Sequence, residues 1–248
     1  METIGLIAAM TQESDALLRC IKESKVLRVG SFHGRSFELA GKTCVLVTSG
    51  MGTKRASEAA KSLIETLSLS CLISFGIAGA TETELEIGDV VAAETVCRLE
   101  RGGITPQQQL EPWTQAAREA ASRTLAGRGA HLYVGTAITT GGSQVSEGQL
   151  VDILHPVLEM ETAGIAQVAT EHGIPLLSIR AVSDGPRAPL PIDLAEMMDE
   201  DANLRPGRMF MAVIRHPGII LQGRRLLRNT RIAADNAALT LVEVLKYW

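Results

Sequence analysis

No apolar run in this chain comes near the roughly 20 residues that cross a bilayer. A stretch such as "IPLLSI", residues 174 to 179, is far shorter. The opening "METIGLIAAMTQESD" lacks a basic segment followed by a cleavage site. A cytoplasmic location is therefore expected. Cys20, Cys44, Cys71 and Cys97 form no CxxC pair, and His33, His131, His155, His172 and His216 are dispersed without ligand-like spacing. This argues against a zinc centre, a disulfide framework or a serine–histidine triad, and leaves the cysteines as buried free thiols. Neither a metal nor a cofactor is expected. GxxxxGKS and GxxxxGKT are missing and "GMGTKR" lacks the last glycine of GxGxxG, which sets aside ATPase and dinucleotide chemistry. There is no internal repeat, low-complexity tract or domain linker.

What is present is a hydrophobic content of 46% over 248 residues, enough for one sizeable core. A single domain covering 1–248 is the expectation. "TIGLIAA" reads as a strand, with a helix from "TQESD" to about Cys20. "SFELA" and "TCVLVT" around "GK" read as a hairpin. "SGMG" leads into the helix "TKRASEAAKSLIETL". "CLISFGIAGA" reads as a β-rich run into a glycine corner, followed by the strand "IGDVVAAETV", a helix over 112–125 and the strand "HLYVGTAITT". "SEGQLVDIL" suggests a helix opened by a capping box of Ser146 and Gln149. "PVLEM" then passes into the helix "ETAGIAQVATEHG", stopped at Gly173. "IPLLSIRAVSD" is the most buried-looking strand, and "DGPRAPLPID", residues 184–193, is a loop. Alternating strands and helices predict an α/β fold, a three-layer αβα arrangement around a central mixed, mostly parallel sheet.

The net charge of −4 hides an asymmetry. Residues 202–234 contain seven arginines and no acid, so this piece carries +7 and the rest −11. A basic helical segment over about 202–248 thus follows an acidic body. It reads either as a solvated helix face or subunit contact, or as an amphipathic surface, with "GIIL" and "LL" set against arginines, that rests on anionic lipid. A nucleic-acid partner is not expected.

In sheets of this kind ligands bind beyond the carboxyl ends of the strands, and charged residues fall at such ends here. Glu13 lies just past "IGLIAAM", Glu159 and Glu161 follow "PVL", and Arg180 and Asp184 follow "IPLLSI". Burial of such groups requires a ligand, a partner charge or a helix N-terminus. Paired carboxylates suit a reaction that protonates a leaving group while positive charge grows on a sugar, as in glycosidic cleavage. One acid would be kept protonated near pH 7 by desolvation.

"IGLIAAMTQESDALL", "SGMG", "FGIAGATETELEIGDVV" and "LEMETAGIAQVATEHGIPLLSIRAVSD" together resemble the nucleoside phosphorylase and nucleosidase superfamily, most nearly its methylthioadenosine/S-adenosylhomocysteine nucleosidase branch. The resemblance implies hydrolysis of a purine nucleoside by a homodimer. Asp184 would protonate N7 and Ser183 would help hold the purine. Glu161 would bind the ribose, Met160 would pack on it, and Glu13 would activate water with Arg180 and Glu159 in support. Gly79, with Ala78 beside it, would let the backbone approach the nucleoside, and Val145 would fall near the base. Two positions depart from the family pattern. Ile77 stands where a serine is usual, which argues against phosphorolysis, and Gln144 and Val145 fall where nucleosidases place an aromatic. The C-terminal part, centred on "RHPG", resembles hopanoid-associated members linked to removing adenine from adenosylhopane.

Each residue also has a plainer explanation. Glu159 and Glu161 could be first-turn carboxylates on a helix dipole, Arg180 and Asp184 a structural ion pair, Glu13 an exposed helix residue, Met160 core, and Ser183 a turn. Two other functions stay open: a phosphorylase that uses phosphate in place of water, and a module that binds nucleosides without turnover.

Overall fold

The computed structural model describes residues 2–100, 103–105, 108–141, 150, 152–187 and 219–248. In chain order these form β1 (Thr3–Ala8), α1 (Thr11–Arg19), β2 (Lys25–Val29), β3 (Phe32–Leu39), β4 (Lys42–Thr48), α2 (Thr53–Thr66), β5 (Cys71–Ala80) and β6 (Val90–Glu100). There follow β7 (Gly103–Ile104), β8 (Gln108–Gln109), α3 (Gln115–Ala126), β9 (Leu132–Thr140), β10 (Pro156–Glu159), α4 (Thr162–Glu171), β11 (Leu176–Asp184) and α5 (Ile219–Tyr247).

All eleven strands join one mixed sheet, whose main path runs β10-β9-β6-β11-β5-β1-β4-β3-β2. The central ladders β4-β1-β5-β11 and β6-β9-β10 are parallel, and the antiparallel seam between β11 and β6 joins them. The β2-β3-β4 meander at one edge is antiparallel. At the other edge β10 turns back onto β5, antiparallel, pairing Val157 with Ala80 and Leu158 with Gly79. That half of the sheet therefore curls upon itself.

Helices cover both faces, as near-continuous apolar strands require. On one face α1, α3 and α5 bury Ala16, Leu17, Ala117, Ala121, Leu125 and the α5 stripe from Ala233 to Leu245 against Leu6, Ile73 and Leu177. On the other, α2 and α4 bury Ala56, Ala60, Leu63, Ile165 and Ala169 against Ile7, Val45 and Leu72. The expected three-layer αβα arrangement is thus present. Asn236 ties α5 to the sheet by donating to the Gly88 carbonyl at 2.7 Å and accepting from Arg128 Nε at 2.6 Å.

Several local expectations change. The supposed corner in "CLISFGIAGA" is continuous strand to Ala80, because Gly76 and Gly79 serve side-chain approach rather than a turn. β2 was not foreseen: its "KVLRV" has an exposed, half-polar pattern and pairs only through the hairpin at Gly30. Of the cysteines Cys44, Cys71 and Cys97 are buried, but Cys20, at the open end of α1, is exposed. Of the helix expected over "SEGQLVDIL", residues 146–149 and 151 lie outside the described residues and 150 and 152–154 are not helical; most of the loop 184–193 also lies outside them, as do Gln144 and Val145. Among the described residues no helix is long and apolar enough to cross a membrane.

Candidate active site

β1 ends at Ala8, and the chain turns straight into α1 with Glu13 at its third position. An acid there reaches back to the start of its own helix, and Glu13 Oε2 accepts the Met10 N–H at 2.8 Å. The other oxygen accepts the Ile77 N–H of β5 at 2.9 Å. Glu13 is 3% exposed, which contradicts the reading of an exposed helix residue. Burial pushes its pKa up, while the hydrogen bonds from Ile77 and Met10 and the charge of Arg180 pull the other way.

The second group comes from the junction of β10 and α4. Gly164 lies so close to α2 that a Cβ there would come within 2.6 Å of Thr53 Cγ2 and 2.7 Å of its carbonyl oxygen. This close packing sets the start of α2 beside the start of α4. Thr53 Oγ1 donates to the Met160 carbonyl at 2.9 Å, and the Gly52 N–H donates to Glu161 Oε1 at 2.8 Å. Gly52 has φ +98°, a conformation that glycine adopts without strain. Glu161 stands at the N-cap of α4 but makes no side-chain cap of its own. Its pKa is pushed up to about 7 by burial and by the charge of Glu159, with Arg180 and the Gly52 N–H opposing.

Glu159 caps α4. Its Oε2 accepts the N–H groups of Glu161 at 3.0 Å and Thr162 at 2.8 Å, the Thr162 hydroxyl at 2.7 Å and Arg180 Nη2 at 2.9 Å, and Oε1 accepts the Thr139 hydroxyl. Burial raises its pKa, yet Arg180 and these donors win and hold it below the usual carboxylate range. Arg180 Nη2 also contacts Ser74 Oγ at 2.6 Å and Thr162 Oγ1 at 2.8 Å. The side chains of Glu159 and Arg180 are 0% and 3% exposed. The two residues expected to support Glu13 are thus buried and paired with each other.

Asp184 ends β11. A register shift between Val182 and Asp184 places it opposite Gly79, where an added Cβ would lie 2.8 Å from Asp184 Oδ2. The missing side chain of Gly79 thus gives room to the carboxylate. Ser183 Oγ lies 2.6 Å from Asp184 Oδ1 and 3.4 Å from the carbonyl oxygen of Ala78. Burial raises the Asp184 pKa, and the Ser183 hydrogen bond moderates the rise. The bland pairing of Arg180 with Asp184 is not seen.

β5 therefore runs through the centre, with Glu13 over Gly76 and Ile77, Asp184 over Gly79, and the β10 end carrying Met160 and Glu161 alongside. Arg180 lies close enough to lower the pKa of both Glu13 and Glu161, and Glu13 close enough to raise that of Glu161. Sequence reasoning missed Gly52, Ser74, Gly76, Thr139 and Thr162. A glycine inside a strand pattern does flag close approach, so Gly76 was detectable; hydroxyls aimed inward from helix and strand leave no such mark. Elsewhere Glu82, Glu84 and His155 bring ligand atoms within 4.8 Å of one another, a grouping that histidine spacing did not reveal.

Residues 3–215 match the family model described as the Phosphorylase superfamily. The chain is 30% identical over 196 residues to a 5′-methylthioadenosine/S-adenosylhomocysteine nucleosidase of Aeromonas salmonicida, covering 73% of this chain and 85% of that one. It is equally 30% identical over 197 residues to the enzyme of that name from Oceanobacillus iheyensis, with 73% and 86% covered. In three dimensions it resembles the Neisseria meningitidis nucleosidase crystallised with methylthio-immucillin-A, at a TM-score of 0.71 and 25% identity over the whole of both chains. A futalosine hydrolase of Helicobacter pylori shares the fold at a TM-score of 0.71 and 17% identity, covering 100% and 98% of the two chains. The chain belongs to the phosphorylase superfamily and is an enzyme of its nucleosidase, N-glycosyl hydrolase, type.

Proposed function

We propose that the protein hydrolyses the N-glycosidic bond of an adenine nucleoside substituted at the 5′ position, releasing free adenine, with methylthioadenosine, S-adenosylhomocysteine or adenosylhopane as substrate. It acts as one domain, in a cytoplasmic homodimer, without cofactor or metal. The observation that carries this reading is the arrangement along β5: a carboxylate at each end of the stretch Gly76 to Gly79, and Glu161 held beside it by Gly52.

Asp184 is the acid. Its raised pKa keeps the proton available, and transfer to N7 lets the purine leave with the electrons of the C1′–N9 bond. Glu161 accepts the ribose hydroxyls, and its negative charge offsets the positive charge that builds on the sugar. Met160 packs on the sugar face, and Ser183, Ala78 and Gly79 line the base. Glu13 takes a proton from the water that adds to C1′. Its two backbone hydrogen bonds favour the ionised form that a base needs. Glu159 and Arg180 position Glu161 and the start of α4 without touching substrate.

Water rather than phosphate is favoured by Ile77, whose side chain has no donor for an anion. The test is a panel of methylthioadenosine, S-adenosylhomocysteine, adenosine, inosine and an adenosylhopane mimic, each with and without phosphate, followed by free base. Adenine release without phosphate is expected. Strict dependence on phosphate with formation of ribose 1-phosphate, or tight nucleoside binding without any released base, overturns the reading.

A further inference from the structure

We propose that the first half of α5 is a docking surface for an anionic lipid bilayer. Arg224, Arg225, Arg228 and Arg231 are all exposed on this stretch, and Leu227 stands among them at 67% exposure. From Ala233 onward the same helix is buried in the core. The helix thus changes role within one or two turns: its second half is held by the fold and its first half projects cations around an apolar side chain.

Among the described residues these charges have little local neutralisation. Asp235 is the acid that faces this end of the helix, and it is already engaged by Arg19 at 2.5 Å and Arg231 at 4.0 Å. Among the described residues Arg224, Arg225 and Arg228 form no ion pair. Arg128, bonded to Asn236, adds a further cation from the turn after α3.

Two considerations select a bilayer over a nucleic acid. The remainder of the chain carries −11, and an extended polyanion reaching past the helix would meet that charge. A membrane surface is planar and needs only one basic face. Leu227, exposed among these arginines, also suits the boundary between headgroups and acyl chains, where arginine stems lie along apolar surface with their guanidinium groups at the phosphates. The inference does not depend on which nucleoside is the substrate.

The test uses the full chain with vesicles of phosphatidylcholine alone or mixed with phosphatidylglycerol, sedimented at low and high salt, beside a single-stranded RNA binding assay. Wild type should sediment with the mixed vesicles only, and less at high salt, where screening shortens the reach of the charges. At about fivefold per arginine near a charged surface, R224Q/R225Q/R228Q should lose on the order of a hundredfold in vesicle partitioning. Leu227→Ser should weaken it further, and release of base from a soluble nucleoside should not change in either variant. Absence of capture by the mixed vesicles, equal capture by neutral ones, undiminished capture of the triple variant, or tighter binding to RNA than to vesicles overturns the proposal.

Discussion

The Glu13 carboxylate occupies the space that a side chain at residue 76 would need: a Cβ built on Gly76 would overlap Oε1 and lie 2.8 Å from Cδ. Gly76 is in the extended strand and needs no unusual backbone angle, so its role is spatial. Gly76→Ala should therefore fold yet push Glu13 away from the Ile77 N–H. Displacement of a catalytic group by about 1 Å costs on the order of a hundredfold in rate, and a loss of that size in kcat is expected. A folded Gly76→Ala enzyme with wild-type kcat would remove Glu13 from the chemistry.

Asp184→Asn keeps the shape of the side chain and the Ser183 contact but cannot deliver a proton to the leaving purine. Loss of a general acid typically costs about 10²- to 10⁴-fold. The variant should bind nucleoside and release base slower by that factor, measured by single-turnover assay on protein whose circular dichroism matches wild type. Near-normal release would assign Asp184 a structural role.

How much of this was readable in the chain depends on what each contact leaves behind in sequence. The layers were legible because buried parallel strands such as "CLISF" and "IPLLSI" stay apolar throughout, while the helices between them show period 3.6. The charged residues were legible because a glutamate or arginine beside such a run conflicts with burial unless something compensates it. Which partner compensates was not legible. Arg180 lies 21 residues from Glu159, and the Thr139 and Ser74 hydroxyls that complete their network look like ordinary strand residues. The continuity of β5 through Gly79 was misread for a related reason: glycine signals a turn or a close approach equally, and only the tertiary position of Asp184 and Glu13 distinguishes the two.

Glu161 makes stability depend on pH in a definite direction. Its folded pKa of about 7 lies above the ordinary glutamate value of 4.5, so the folded state holds a proton that the unfolded state has released. Stability should fall as pH rises from about 4.5 to about 7, the window between the two values. Glu13 and Asp184, also raised, act with the same sign, whereas Glu159, lowered, costs stability only on acidification below the ordinary carboxylate range. Ligand-free protein should thus melt at a higher temperature at pH 5.5 than at pH 8, and Glu161→Gln should flatten that slope. A melting temperature that instead climbs steadily from pH 5.5 to 8 would show that Glu161 is ionised at little cost.

The Arg180–Glu159 pair is buried on both sides, so its members should fail very unequally alone and together. Arg180→Met leaves Glu159 with its hydroxyl and backbone donors but no opposing charge. Removing one partner of a buried pair costs about 3–5 kcal/mol. Glu159→Gln leaves a guanidinium whose Nε already has no hydrogen-bond partner facing a neutral amide. In the double variant Arg180→Met/Glu159→Gln no uncompensated charge remains, so the loss should be smaller than the sum of the two single losses, with a coupling of about 0.5–3 kcal/mol. Glu161 provides the second readout. Its pKa is raised in part by the charge of Glu159 and lowered by Arg180, so Glu159→Gln should shift the pH dependence of base release toward acid and Arg180→Met toward alkali. Strict additivity in denaturant unfolding, together with unmoved pH profiles, would mean that the pair neither stabilises the junction of β10 and α4 nor tunes the carboxylate beside it.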